Sequence, residues 1–530
     1  MGEDEQQVEK QPNGYMFRKN SEAVQGAAGL VTLDRVWQLD DDMLLLMAIM
    51  PQLKDLCLKF ALFKLLRCRF ARYKLADDRK MTAKFVRSAL LKDGENKEER
   101  AFRIIADELS FLHDYYDSPL PISYSDNQLT MLSMVISVLT IGYCILSGVD
   151  VIRLADYILR FGNASTTFCT YDCVNDSIFD QVPVVLLFVL VVVAEARDVA
   201  SHICSSWTKV ILTCRCAQRA SLRLSPVVPK WVGCLLQCRC NRLLMRHWND
   251  KMRHNSLLTL HPRPLFHKLV FPGCLLRLLN QNVKVPAAVK VCIIATLRRS
   301  TSSSRSSGDG LSKGITSLRR TQNGETLLWA CSSKGTSDTI LVWHIATTTL
   351  EVRYPHHRQD GRPSSTSDDQ RTAGTHLSRY CAYLVEFCPE LLPDDDAWSK
   401  SLYKDVKKDA ERALAIGGGT AVSSMPPEAG YRRLIELLGM RQNHEVLKDA
   451  AKLAEQLGEL ATGGEEIAWK LLAGFWAEMV LYLAPSDILK GHMEAVDRGG
   501  ELITLLWTLL THVGIVDRPE SAAAAGPSSS

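Results

Sequence analysis

Residues Leu129–Val149 read LTMLSMVISVLTIGYCILSGV, twenty-one positions without one charge. At 1.5 Å of rise per residue, a helix of that length reaches about 31 Å, the thickness of a bilayer's hydrocarbon core. The core helix of a soluble domain seldom runs so far without a polar stripe. The stretch therefore predicts a membrane span, with a buried helix of a large domain as the alternative.

A second apolar run, VPVVLLFVLVVVA, covers Val182–Ala194. Thirteen residues are short for a span, and β-branched content would also suit a buried strand. Pro183 suits the first turn of a helix, and a hairpin partner for the first run is the simplest use. Between the runs, Asp150–Gln181 holds the two Asn-X-Ser sequons, at Asn163 and Asn175, together with Cys169 and Cys173. Only Arg153 and Arg160 are basic there, whereas Arg197–Lys230 carries six basic residues. The positive-inside rule then places the chain after Ala194 in the cytosol and the intervening loop in the lumen or outside the cell. In that loop, glycosylation of Asn163 and Asn175 is expected.

Charge is strongly asymmetric along the 530 residues. The formal net charge of +4 conceals −6 over residues 1–196, +19 over Arg197–Arg320 and −9 over 321–530. A basic middle between acidic flanks fits contact with an anionic surface, or pairing inside the protein. We expect anionic-lipid contact from Lys209, Arg215, Arg219 and Arg223, which follow the apolar runs most closely. Nucleic acid ranks below lipid as a partner: Trp207, Trp231 and Trp248 could stack bases, but no recognised module accompanies them. The sixteen cysteines do not read as a disulfide framework in so long a chain. The first residues, MGEDEQQVEKQ, are too acidic and polar for a cleavable signal, and Gln6 stands where a myristoylation site wants Ser or Thr.

The rest of the chain reads mainly as helix. Leu44–Arg69 carries too many charges for a span and is expected to lie on a membrane or a partner. Ala101–Tyr116 places Phe102, Ile105, Leu109 and Leu112 at helical spacing, closed by Pro119 and Pro121. Arg298–Gly314 is Ser-rich and reads as a flexible linker. Thr339–Ala346 fits a strand or a buried helical turn, and Arg358–Thr375 reads as a polar loop. Val446, Ala450, Leu453 and Leu457 form one helical stripe, and Trp469, Leu472, Trp476, Met479 and Leu483 another. Leu502–Val516 fits a core helix better than a span.

The blocks GLVTLDRVW (Gly29–Trp37), LKDLCLKFALFKLLRCRF (Leu53–Phe70), DELSFLHDYYDSPLP (Asp107–Pro121) and HWNDKMRHNSLLTLHPR (His247–Arg263) carry a resemblance. So do ETLLWACSSKGTSDTILVWHIATTTLEV (Glu325–Val352), the long block His376–Leu414, and GGELITLLWTLLTHVGI (Gly499–Ile515). With them the chain resembles a plant membrane-protein family, expanded in grasses, in which domain of unknown function 4220 precedes domain of unknown function 594. Members usually begin with further hydrophobic helices, so the resemblance implies an amino-terminally shortened chain. It implies no activity and no cofactor.

Candidate chemistry is sparse. Cys214, Cys216, Cys234, Cys238, Cys240, His247 and His254 could offer zinc ligands, but their spacings are not the paired C-x2-C type. Palmitoylation of membrane-near cysteines and inert packing thiols are the other readings. His376, Ser378, Asp394, Asp395 and Asp396 could serve a hydrolase, yet no nucleophile elbow, zincin, P-loop or dinucleotide motif is present. The Asp run precedes a helical pattern, where carboxylates cap free N–H groups.

The expected protein is thus mainly α: a helical, multi-pass membrane protein with a cytosolic helical carboxy-terminal domain. Residues 1–28 and 517–530 read as disordered ends, 29–297 as the membrane-associated domain with spans 129–149 and 182–194, 298–320 as the linker, and 321–516 as the helical domain. Its expected role is interaction or regulation, through membrane lipids and a protein partner still to be identified. A membrane-anchored enzyme using the His376–Asp396 region is the alternative.

Overall fold

The computed structural model describes residues 50–70, 79–91, 97–117, 127–162, 170–218, 250–258, 282–303, 311–332, 335–355, 366–416, 425–440, 442–486, 488–498 and 500–518. These are almost entirely helical, with one two-stranded sheet. The chain divides into two units, one of residues 1–67 with 107–247 and one of 68–106 with 248–530.

The first unit holds α1 (Met50–Phe70), the later half of α3 (Lys97–Asp117), α4 (Asn127–Gly162), α5 (Thr170–Cys204) and α6 (Ser206–Gln218). Pro51 is the second residue of α1, where its missing N–H costs nothing. The helix does not wait for an outside partner. Leu58, Leu62, Phe63 and Leu66 are buried, and the Trp207 ring stands edge-on to Phe60, Phe63 and Phe111 at 5.4 to 5.5 Å. Lys59 pairs with Asp107 at 2.5 Å, and Lys64 and Arg67 lie over the Phe60 and Tyr115 rings. The charges that exclude α1 as a span thus rim an aromatic core.

The second unit contains α2 (Arg79–Leu90), the start of α3, strands β1 (Lys251–Arg253) and β2 (Asn282–Lys284), α7 (Ala287–Ser303) and α8 (Ile315–Arg320). It continues with α9 (Thr336–Arg353), α10 (Thr366–Phe387), α11 (Asp396–Ile416), α12 (Pro427–Leu438), α13 (Glu445–Thr462), α14 (Glu465–Leu483), α15 (Leu489–Asp497) and α16 (Leu502–Val513). β1 and β2 are antiparallel, with Met252 opposite Val283.

The core forms where α9, α10, α13 and α14 pack. Trp343 stacks on Phe475 at 3.7 Å, and Trp476 donates its Nε1–H to Thr347 Oγ1. α9 settles the strand-or-helix ambiguity of Thr339–Ala346. Its residues Thr336–Leu350 are all buried, despite the threonines and β-branched residues. The hydroxyls of Thr339, Thr347, Thr348 and Thr349 each donate to the carbonyl four positions earlier, which satisfies polar groups that a buried helix would otherwise strand. Gly314 is needed where the chain enters α8. Its φ is +83°, and a Cβ there would lie 2.2 Å from the Phe475 ring.

Several expectations change. Residues 298–303 continue α7, and Leu311–Gly314 are held in the second unit, so only 304–310 of the Ser-rich stretch lie outside the described residues. α10 already begins at Thr366, within the expected loop, with Asp368 and Asp369 in its first turn. Of the expected loop between the apolar runs only 163–169 lie outside the described helices, because α4 extends to Gly162 and α5 begins at Thr170. Pro183 consequently sits inside α5 rather than opening it. The stripes of α13 and α14 are buried as read, as are Phe102, Ile105, Leu109 and Leu112 of α3, and α16 is buried nearly all round.

Candidate functional site

Two places answer to the sequence reading: the apolar pair α4–α5 in the first unit and the His376–Asp396 region in the second.

α4 and α5 run antiparallel along one narrow seam. On α4 one line of covered positions runs through Met134, Ser137, Ile141, Cys144, Gly148 and Val151, flanked by Thr140, Gly142 and Ser147, and on α5 through Val185, Phe188, Val192, Glu195, Val199 and His202, flanked by Val191, Ala200 and Ile203. Both sets alternate steps of three and four, the spacing of a left-handed helix pair. A Cβ on Gly148 would stand 4.0 Å from the Phe188 ring, which fixes the register. Most of the large apolar side chains off this seam are exposed, including Leu139, Tyr143 and Leu146 on α4 and Leu187 and Leu190 on α5. Among the described residues, one helix is long and apolar enough to cross a membrane, Leu132–Arg153 within α4. The described part of α5 does not reach that length, because Glu195, Arg197 and Asp198 follow Ala194.

In the His376–Asp396 region the residues have separate structural tasks. Asp394 accepts the N–H of Thr336 at 3.1 Å and that of Ser337 at 2.6 Å, capping α9. Asp395 accepts the N–H of Trp398 at 2.8 Å, capping α11. His376 lies edge-on to His254, ring centres 4.7 Å apart. Burial, then His376 and Arg379, push His254 down to about 3. Ser378 does meet an imidazole, at 2.9 Å from His344 Nδ1. Yet His344 Nε2 accepts the backbone N–H of Leu257 at 3.2 Å, so the ring proton sits on Nδ1 and is donated to Ser378. Activation of a serine needs the opposite, an imidazole nitrogen accepting the hydroxyl proton. Both groups are buried, and burial followed by Arg379 holds His344 at about 3. The pair is core architecture.

A buried polar network next to it left little trace in the sequence. Arg253 Nη1 contacts Glu501 Oε1 at 3.1 Å and donates to the Tyr383 hydroxyl at 2.8 Å, which donates to Glu501 at 3.2 Å. Asn255 adds its N–H to the Arg379 carbonyl and its side-chain amide to Tyr403 and Glu386. The segment 250–258 is thereby tied along α10. A second buried carboxylate, Glu478, receives the N–H groups of Ser312, Thr316 and Ser317 at the start of α8. A carboxylate just before a predominantly apolar helix, as in Glu501-Leu-Ile-Thr-Leu-Leu-Trp, was the signal that could have revealed the first network.

Residues 2–260 match the family described as domain of unknown function (DUF4220), and residues 460–515 match protein of unknown function, DUF594. The chain carries DUF4220 followed by DUF594. No curated protein and no solved structure matches it. The DUF4220 stretch is not one structural block, since its residues 68–106 and 248–260 belong to the second unit. There they hold the DUF594 helices. Arg253 reaches Glu501, and Arg87 donates twice to the Val513 carbonyl, closing the end of α16.

Of the remaining candidates, Asn175 lies on α5 and Asn163 outside the described residues. Lys209 is half-buried on α6, Arg215 falls on the same helix, and Arg219 and Arg223 lie outside the described residues. Basic residues of the +19 stretch form ion pairs within the second unit, among them Arg253 with Glu501, Lys290 with Asp250 at 2.7 Å, and Arg298 with Glu98 at 2.8 Å. Of the zinc candidates, Cys214 is in the first unit and His254 in the second, while Cys234, Cys238, Cys240 and His247 lie outside the described residues. Among the described residues no group of three metal-type side chains gathers. The described cysteines are free thiols. Burial pushes Cys57, Cys331 and Cys388 up to about 12, so they stay protonated and unreactive at neutral pH.

Proposed function

We propose that the protein is a membrane-anchored interaction module without catalytic chemistry of its own, in which α4 and α5 cross the bilayer as a hairpin and the helical second unit stays on the cytosolic side. One observation carries this reading: the sixteen large apolar side chains that α4 and α5 leave exposed. At on the order of 1 kcal/mol for each half-exposed residue, water contact would cost more than a domain's whole stability. Lipid removes that cost. The basic excess after Ala194 orients the hairpin with both ends cytosolic, and Lys209, Arg215, Arg219 and Arg223 then face the anionic leaflet. The second unit contributes a packed helical body whose polar groups are spent on capping and bracing, which favours partner contact over turnover.

The test is topology in sealed microsomes. A carboxy-terminal tag should be open to protease, and a glycosidase-sensitive mobility shift should vanish with Asn163→Gln. Asn163 is the better acceptor because Asn175 is committed to α5. Protection of the tag, or release of the protein by alkaline carbonate, would overturn the reading.

A further inference from the structure

The two-stranded ribbon of the second unit sets like charges against each other. β1 and β2 place Lys251 directly opposite Lys284. The Val285 N–H donates to the Asp250 carbonyl at 3.0 Å, so 250 and 285 form a hydrogen-bonded pair. By alternation, Lys251 and Lys284 then occupy the non-hydrogen-bonded position beside it, where Cα atoms stand about 4.5 Å apart and side chains come closest. Met252 is wholly buried, which turns its neighbour Lys251, and Lys284 with it, to the other face of the ribbon. Both are exposed there.

No acid answers this pair. Asp250 is next in sequence, but its carboxylate is engaged by Lys290 at 2.7 Å. Arg253, two positions on, adds a cation to the same face, and its charge is met by Glu501. Among the described residues neither Lys251 nor Lys284 has an ion-pair or hydrogen-bond partner for its ammonium group. A single exposed lysine, such as Lys470 of α14, is ordinary. Two directly opposed are not, because like charges in that position destabilise a strand pair. The ribbon holds their backbones together, so a ligand need not assemble them.

The charge to be balanced selects the ligand. Two ammonium groups offer +2 and six N–H donors. A carboxylate returns one charge and two oxygens, whereas a phosphate monoester carries about −1.5 to −2 and three strong acceptor oxygens. We infer that Lys251 and Lys284 bind one phosphate group, presented by a soluble phosphate anion or by a phosphomonoester lipid headgroup. The site belongs to the second unit and stands whether or not α4 and α5 cross a bilayer, since the soluble source needs no membrane.

The test is site-resolved amine acylation of the full chain in mild neutral detergent, read by mass spectrometry. Three conditions of equal ionic strength are compared: chloride, inorganic phosphate, and chloride with phosphatidic acid in the micelles. Acylation of Lys251 and Lys284 should slow together, by about fivefold when ligand reaches about four times its dissociation constant. The exposed Lys404 of α11 and Lys470 of α14 should keep their chloride rates. Slowing in phosphate assigns a soluble anion, and slowing with phosphatidic acid alone assigns a headgroup. Lys284→Glu should abolish protection of Lys251 while raising the apparent melting temperature, because an opposite pair replaces a like one. Lys284→Arg should keep the protection. Unchanged rates in both ligands, equal slowing at Lys404 and Lys470, or protection of Lys251 that survives Lys284→Glu would overturn the site and leave the hairpin untouched.

Discussion

Replacing Arg253 by Met should destabilise the second unit in a way that depends on pH. The arginine is the cation held 3.1 Å from Glu501, whose side chain is 2% exposed. Burial raises the Glu501 carboxyl above its ordinary value, and Arg253 first, then the Tyr383 bond, oppose that rise. Methionine keeps the stem's volume and deletes the charge, leaving a buried carboxylate with the tyrosine and the weaker influence of Arg498. Losing one member of a buried pair costs about 3–5 kcal/mol. Since a quarter of the Arg253 side chain meets solvent, the low end is expected, about 3 kcal/mol, or roughly 6 °C or more in apparent melting temperature. The sign follows from linkage. A carboxyl raised in the folded state is best tolerated below its unfolded pKa, and stability is lost as pH rises through the folded pKa. Without Arg253 the folded pKa moves higher, so the loss should be largest near pH 7.5 and shrink toward about pH 5.5. Tryptophan fluorescence of the full chain in mild detergent can follow the melt, since Trp343, Trp469, Trp476 and Trp507 are all buried in this unit. Glu501→Gln in the Arg253→Met background should recover most of the deficit. A deficit identical at both pH values, with no recovery, would show that Arg253 acts through packing and that the charge argument is wrong.

Gly314→Ala should cost at least about 2 kcal/mol, by the same melt, because φ is +83° and the new methyl meets the Phe475 ring. Asp394→Ala should cost about 1–2 kcal/mol by leaving the Thr336 and Ser337 N–H groups uncapped. Ser378→Ala should lower stability by about 1 kcal/mol, and a fluorophosphonate probe should fail to label Ser378. Labelling would reinstate the hydrolase reading. Ile503→Asp, at a fully buried position of α16, should abolish the cooperative transition, whereas improved solubility would mean that the helix is a membrane segment.

Periodicity was the part of the sequence that translated directly. The stripes on α3, α13 and α14 needed nothing beyond a period of 3.6, because each lies on one helix and faces one core. α9 was ambiguous since burial on all sides erases the stripe, and its threonines favour strands until a helix gives their hydroxyls a carbonyl four residues back. The Asp394–Asp395 run was legible as caps. That Asp394 serves α9 instead of its own helix was not, because it depends on a contact 57 residues away in sequence. The Arg253–Tyr383–Glu501 network was invisible for the same reason: its members come from three distant segments and each alone looks like an ordinary surface residue. The loop between the apolar runs was overestimated because polar residues at the ends of long helices look like loop when read by composition.

Arg87 closes the end of α16 across 426 positions of sequence, and the whole apolar hairpin is made between the two. At about 5–20 residues per second, α2 leaves the ribosome roughly 20–85 s before the helix it caps exists. During that interval Val86 and Leu90, both buried in the finished unit, have no α16 to pack against, while the apolar faces of α4 and α5 are already made. Biogenesis therefore runs in an enforced order, the apolar pair made first and the helical unit closed last. Anything that shields the early helix during that wait, a chaperone or the membrane surface itself, acts on yield without touching the stability of the finished protein.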